Sequence, residues 1–109
     1  MNDEDLLSRL RAQLGDDPNI SEKKMFGGMA FMLNGNMLCG IMSTGAFLVR
    51  VGKEFEAEAL KKPGTRLMEQ GGRTMGGFIT VDEAALEEDA AISQWLALAT
   101  RFVGAMPPK

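Results

Sequence analysis

Apolar residues first recur at Leu6, Leu7, Leu10 and Leu14, a spacing that lines one face of a helix. Asn2 or Asp3 stands where an N-cap is wanted, and Gly15 suits the position just past the end. Asp16-Asp17-Pro18-Asn19 is turn material. From Lys24 the apolar period shortens to two, the period of a strand. Asn34-Gly35 is the dipeptide that best tolerates the two positive φ angles of a type I′ turn, so residues 23–42 read as a hairpin folded about it. A two-residue loop sets Leu33 against Asn36, Phe31 against Leu38, Ala30 against Cys39 and Met29 against Gly40. Thr44-Gly45 offers a second turn, which places Met42 beside Phe47, Ile41 beside Leu48 and Cys39 beside Arg50.

Gly52 closes the third strand, and residues 53–60 read as a short helix with Phe55, Ala59 and Leu60 inward. Lys61-Lys62-Pro63-Gly64 stops it, with positive charge at the negative end of the helix dipole. Residues 65–69 form a strand, Gln70-Gly71-Gly72 a turn and residues 77–81 a last strand. Asp82 caps a short turn through Leu86, and Glu88-Asp89 opens the final helix. Its stripe of Ile92, Trp95, Leu96, Ala99, Phe102, Val103 and Met106 keeps the 3–4 spacing of an amphipathic helix, ended by Pro107-Pro108. The expected fold is α+β: a five-stranded antiparallel sheet with three main helices in the order α-β-β-β-α-β-β-α. Residues 1–109 are expected to form a single domain, since a chain of 109 residues supports one core and is too short for two.

The hairpin register predicts two apolar sheet faces. One carries Met29, Phe31, Leu38, Met42, Phe47, Val49 and Val51. The other carries Phe26, Ala30, Met32, Met37, Cys39, Ile41, Leu48 and Arg50, and is softer. A sheet that is apolar on both sides needs cover from two directions or from a partner chain.

Composition narrows the chemistry. There is no histidine and no tyrosine, and Cys39 is the single cysteine. Ser-His and Cys-His nucleophile pairs are therefore absent, and a lone thiol cannot build a zinc cluster. The expectation is a protein with no catalytic residues, no metal and no cofactor, and not an enzyme. The acidic start, Asp3-Glu4-Asp5, has no signal-peptide character, no apolar run reaches the roughly 20 residues of a membrane span, and the expected location is the cytoplasm with no membrane partner. The net charge of −3 is unevenly spread: two basic residues against six acidic ones in 1–22, eight against four in 23–75, and two against five in 76–109. An acidic chain is a poor general binder of nucleic acid, yet its basic middle keeps such contact open.

Five residues are candidates for interaction or ligand binding. Arg50 alternates with apolar neighbours, so it is either a buried ion-pair partner, with Glu69 or an acid of the last helix, or a fork for a carboxylate or phosphate ligand. Arg73 follows a Gly-Gly turn on a flexible rim suited to contact. Cys39 opposite Arg50 is either a buried apolar cysteine or a thiol activated by positive charge. Met32 and Met37, with Met25, Met29 and Met42, either fill a core or form a pliable recognition surface; copper(I) is the sharper alternative. Gly27-Gly28 reads as a bulge or a site of close approach, since a phosphate loop would feed a helix and carry Lys-Ser/Thr.

Several of these segments together resemble the N-terminal domain of the TfoX/Sxy family of competence regulators. The likeness is carried by Lys24-Met25-Phe26-Gly27-Gly28, Gly35-Asn36-Met37, Cys39-Gly40 and Leu48-Val49-Arg50-Val51-Gly52. It continues through Pro63-Gly64, Gly72-Arg73-Thr74-Met75 and a last helix running into Pro107-Pro108-Lys109. Leu67-Met68-Glu69-Gln70 departs from the pattern, where relatives often place a more aromatic segment. The resemblance implies the five-stranded sheet with three helices and a role in transcriptional regulation exercised through a protein partner or a homodimer. It also implies a stand-alone form without the helical C-terminal domain of the full-length regulators. The alternatives are a nucleic-acid-associated factor using the basic segment, and a small-ligand binder around Arg50 and Arg73.

Overall fold

A computed structural model of the protein describes residues 3–25 and 27–108, the side chains of Asp3 and Gln70 excepted. Asn2, Phe26 and Lys109, named above, lie outside them. Helix α1 (Asp3–Leu14) turns Leu6 and Leu10 into the core and leaves Leu7 and Leu14 at its margin. Four strands follow: β1 (Ile20–Met25), β2 (Gly28–Leu33), β3 (Asn36–Ile41) and β4 (Phe47–Arg50). Then come α2 (Gly52–Leu60), β5 (Thr65–Gln70), β6 (Arg73–Val81), a 3-10 turn (Glu83–Leu86) and α3 (Asp89–Val103). The class is α+β with three helices on an antiparallel sheet, as expected. The sheet, however, has six strands rather than five, ordered β1-β2-β3-β4-β6-β5.

The additional strand comes from the segment read as the start of a single strand. Gly27, at φ 73°, sits where the chain reverses, and Met25 pairs with Gly28 across a tight hairpin. Gly27 therefore belongs to a turn and not to a bulge inside a strand, as a left-handed φ favours glycine. Gly28 meets the expectation of close approach, because a Cβ there would run into the carbonyl of Ile41. β1 has little apolar signal, with Ser21, Glu22, Lys23 and Lys24 all exposed. An edge strand carrying charge is the ordinary defence against pairing with another chain, and it hides the strand from a hydrophobic pattern.

Two register shifts then decide which side chain faces where. Next to the Asn34-Gly35 turn the expected pairing holds, with Leu33 opposite Asn36 and Met32 opposite Met37. Beyond it a bulge absorbs Leu38, so Phe31 pairs with Cys39, Ala30 with Gly40 and Met29 with Ile41. The next connection is a three-residue loop instead of two, closed by a hydrogen bond from the Met42 amide to the Ala46 carbonyl (2.9 Å). Phe47 consequently lies beside Ile41, and Cys39 beside Val49 instead of Arg50.

All three helices pack on one face. Two rows of that face cross all six strands: Glu22, Phe31, Cys39, Val49, Ile79 and Leu67, and Lys24, Met29, Ile41, Phe47, Val81 and Thr65. α3 lies over β3 and β4, and α2 over β5 and β6. α3 adds Ile92, Trp95, Leu96, Ala99 and Val103 to the same buried cluster. Its helical geometry ends at Val103, one turn before Pro107-Pro108, with Gly104 at the C-cap. The tail is nonetheless held, because Asn36 Nδ2 donates to the Pro107 carbonyl at 3.0 Å.

α1 is tied to the sheet edge by Arg11, whose Nε and Nη2 donate to the two carboxylate oxygens of Glu22 at 2.9 and 2.7 Å. That hydrogen bonding holds the Glu22 carboxyl below its ordinary range. A carboxyl depressed in the folded state stabilises above its unfolded pKa and loses that contribution as pH falls through the folded value. Arg11→Met is therefore expected to lower the melting temperature at neutral pH and low salt, and to change nothing once Glu22 is protonated. Circular-dichroism melts at the two pH values check this, and equal losses at both would assign the effect to packing of the arginine stem. The effect will be small, as for other exposed pairs.

Candidate functional site

The opposite face of the sheet holds a second apolar cluster. Ala30, Met37, Leu48 and Met68 are buried there, with Met25, Met32, Met42 and Phe78 packed around them. Every one of these residues belongs to a strand or to the loop after β3, and none to a helix. Its middle row is Lys23, Ala30, Gly40, Leu48, Thr80 and Arg66, one residue from each strand. Ala30 and Gly40 are small and lie at the centre. The Met32–Met37 pair stands one register step to one side, and Met25 and Met42 are toward the other. Ala30 is fully buried although, among the described residues, no helix contributes to its cluster. Unbranched thioether side chains are long and adaptable enough to fold over a shallow floor of small residues. The surface thus carries a cover made of its own methionines.

Of the five sequence candidates, Met32 and Met37 share this face, as the register of the turn-proximal hairpin required. Cys39 and Ile41 do not: the bulge at Leu38 turns both to the helix-covered side, and Met42 takes the open side in their place. Cys39 is fully buried, and desolvation pushes its thiol well above the ordinary value. It is expected to resist iodoacetamide in the native protein at mildly alkaline pH and to react once urea unfolds the chain, as mass spectrometry would show. Prompt native labelling would overturn that placement.

Arg50 ends β4 opposite Phe78. Its guanidinium lies 5.2 Å from the Phe78 ring centre and 5.7 Å from that of Phe102, and among the described residues no carboxylate pairs with it. Two aromatic faces stand where an ion pair with Glu69 or α3 was one of the expectations, and partial burial lowers the Arg50 pKa without discharging the group. Arg73 is exposed at the start of β6, just past the Gly71-Gly72 turn. An open depression of about 920 Å³ lies near the β5–β6 edge among Met42, Arg66, Glu69, Thr80, Asp82 and Glu83. Neither Arg50 nor Arg73 lines it. Arg66 Nη2 is held there at 2.9 and 3.1 Å from the two Asp82 carboxylate oxygens.

Sequence reading missed Met68 and Phe78 as members of the open face. Their signal was weak, because three extra residues of β6, Gly76, Gly77 and Phe78, interrupt its pairing with β5 between Leu67 and Met68. The Gly77 amide donates to Glu56 Oε2 at 2.7 Å, and its carbonyl accepts from the Val51 amide at 2.9 Å, so the bulge is clamped to the start of α2.

Residues 12–103 match the model of the TfoX N-terminal domain family. No curated protein and no solved structure matches the chain.

Proposed function

The chain belongs to the TfoX N-terminal domain family, and we propose that it works as a protein-interaction module in transcriptional regulation, docking a partner on the open sheet face. The observation that carries this reading is the second apolar cluster on a sheet whose helices all pack on the other side. Apolar strand faces normally gain their stability from packed cover, so one closed only by its own adaptable methionines favours a partner. The lack of histidine and the burial of the one thiol argue against catalysis. The regulatory setting comes from the competence regulators that the chain resembles.

Photo-cross-linking in living cells tests this directly. Benzoylphenylalanine at Met32 or Met42, both on the open face, is expected to give a discrete adduct heavier than the chain. The same group at Ala97, exposed on α3, is expected to give none. Identical adducts from all three positions, or none from the two face positions, would overturn the reading.

A further inference from the structure

We propose that Asn36 is a receptor for one residue of an extended peptide segment, and that Pro107 of the chain's own tail is its imperfect, displaceable occupant. The site lies apart from the open face. Asn36 begins β3 opposite Leu33, so its side chain shares the helix-covered side with Leu33 and Ile20. It is 1 % exposed, the one buried polar side chain among the described residues. Its Nδ2 donates to the Pro107 carbonyl at 3.0 Å, while its buried Oδ1 has no hydrogen-bond partner among the described residues.

Half of the amide is therefore unused, and the sequence supplies the reason. A carboxamide carries a donor and an acceptor side by side, the same pair that one residue of an extended chain presents along one edge. Such a residue gives its C=O to the asparagine NH2 and its N–H to the asparagine oxygen. Pro107 has a carbonyl but no N–H, so it fills only the donor half. The tail does have a suitable backbone. A residue before proline is driven into extended or polyproline conformation, which applies to Met106 before Pro107 and to Pro107 before Pro108. Polyproline backbone keeps its polar groups out of internal hydrogen bonds, open to a reader.

A buried acceptor left unpaired costs more than one neutral hydrogen bond returns. An asparagine serving only to hold this tail is thus a poor choice against a leucine of similar size. A partner residue with an N–H removes that cost, and so gains what the tail lacks. The tail's own hold is light. Pro107 and Pro108 are exposed, and half-buried Met106 is the apolar residue past α3 that packs on the core. Helical geometry ends at Val103, so the tail can leave without unwinding α3. The occupant that fits is an extended segment with an apolar residue in the place of Met106, followed by a residue other than proline.

The test uses the full chain labelled with 15N and methyl-13C methionine, and two blocked pentapeptides. One copies residues 104–108, Gly-Ala-Met-Pro-Pro, and the other has alanine in place of the first proline. The alanine peptide is expected to move the Asn36 side-chain amide and Met106 methyl signals. It should do so at about tenfold lower concentration than the proline peptide, the worth of about one hydrogen bond. In the chain itself, Pro107→Ala supplies the missing N–H. The amide at position 107 is then expected to exchange with solvent at least about tenfold more slowly than a free peptide amide, and the alanine peptide to compete about tenfold less well. Should that variant fail to fold, the two peptides on the unaltered chain still decide. Free exchange at position 107 would mean that solvent meets Oδ1, and would overturn the pairing. An equal response to both peptides would overturn the reading of the N–H. Silence from both, with position 107 protected, would leave a fixed latch and overturn the receptor.

Discussion

Phe47→Ala is expected to cost about 3–5 kcal/mol of unfolding free energy, the range for removing a buried aromatic ring. Phe47 is fully buried in a central strand, between Ile41 and Val81 in a row that the helices cover. Neither strand neighbour can close the cavity without abandoning its own hydrogen-bonded register. A loss of this size is a large part of the roughly 5–15 kcal/mol that holds a domain together. Urea denaturation should show a much lower midpoint with an unchanged slope, the signature of lost stability without a change in the surface exposed. Phe78→Ala supplies the contrast. Its ring is half-buried on the open face, so the same deletion should cost about 1–2 kcal/mol from lost burial alone. Near-equal losses at the two positions would mean that both faces are packed to the same density, and the distinction between a covered and an open face would fail.

That distinction was only half legible in the chain. The helices were readable because their stripes are long: Ile92 to Val103 keeps one face over three turns, and the structure buries that face. The second apolar face was readable too, in outline, from Ala30, Met32, Met37 and Leu48. Its exact membership was not, because one residue of slip exchanges the two sides of a strand. The bulge at Leu38 and the three-residue loop after Met42 each introduce such a slip, and neither is encoded by a hydrophobic period. The pairing of Cys39 with Arg50 failed for this reason. β1 was lost for another: its stability comes from backbone pairing with β2 and from the Arg11–Glu22 contact, neither of which leaves a hydrophobic period, while its own residues are polar. What composition could supply was the charge asymmetry of the central segment. What it could not supply was that alternation sends Lys23 and Arg66 to one side and Glu22 to the other.

Gly52→Ala is expected to destabilise by about 2–5 kcal/mol, from two separable causes. The first is conformational: Gly52 has φ 79°, and an L-residue in the left-handed region costs about 1–2 kcal/mol. The second is steric, since a Cβ would enter the Phe102 ring against its Cδ1, Cε1 and Cγ atoms. Overpacking of this kind costs about 1–3 kcal/mol. The ring cannot simply swing clear, because it also forms one of the two aromatic faces against Arg50. Nor can the backbone retreat, as Gly77 of the β6 bulge approaches so closely that a Cβ on it would come within 3.0 Å of the Gly52 Cα. A double-mutant cycle separates the causes. Phe102→Ala removes every ring atom that clashes, so Gly52→Ala made in that background should recover about 1–2 kcal/mol relative to the sum of the single changes. The residue of the loss belongs to φ and should persist whatever occupies position 102. Strict additivity of the two changes would assign the whole cost to backbone conformation. A full recovery would instead mean that the start of α2 relaxes into an ordinary φ once the ring is gone.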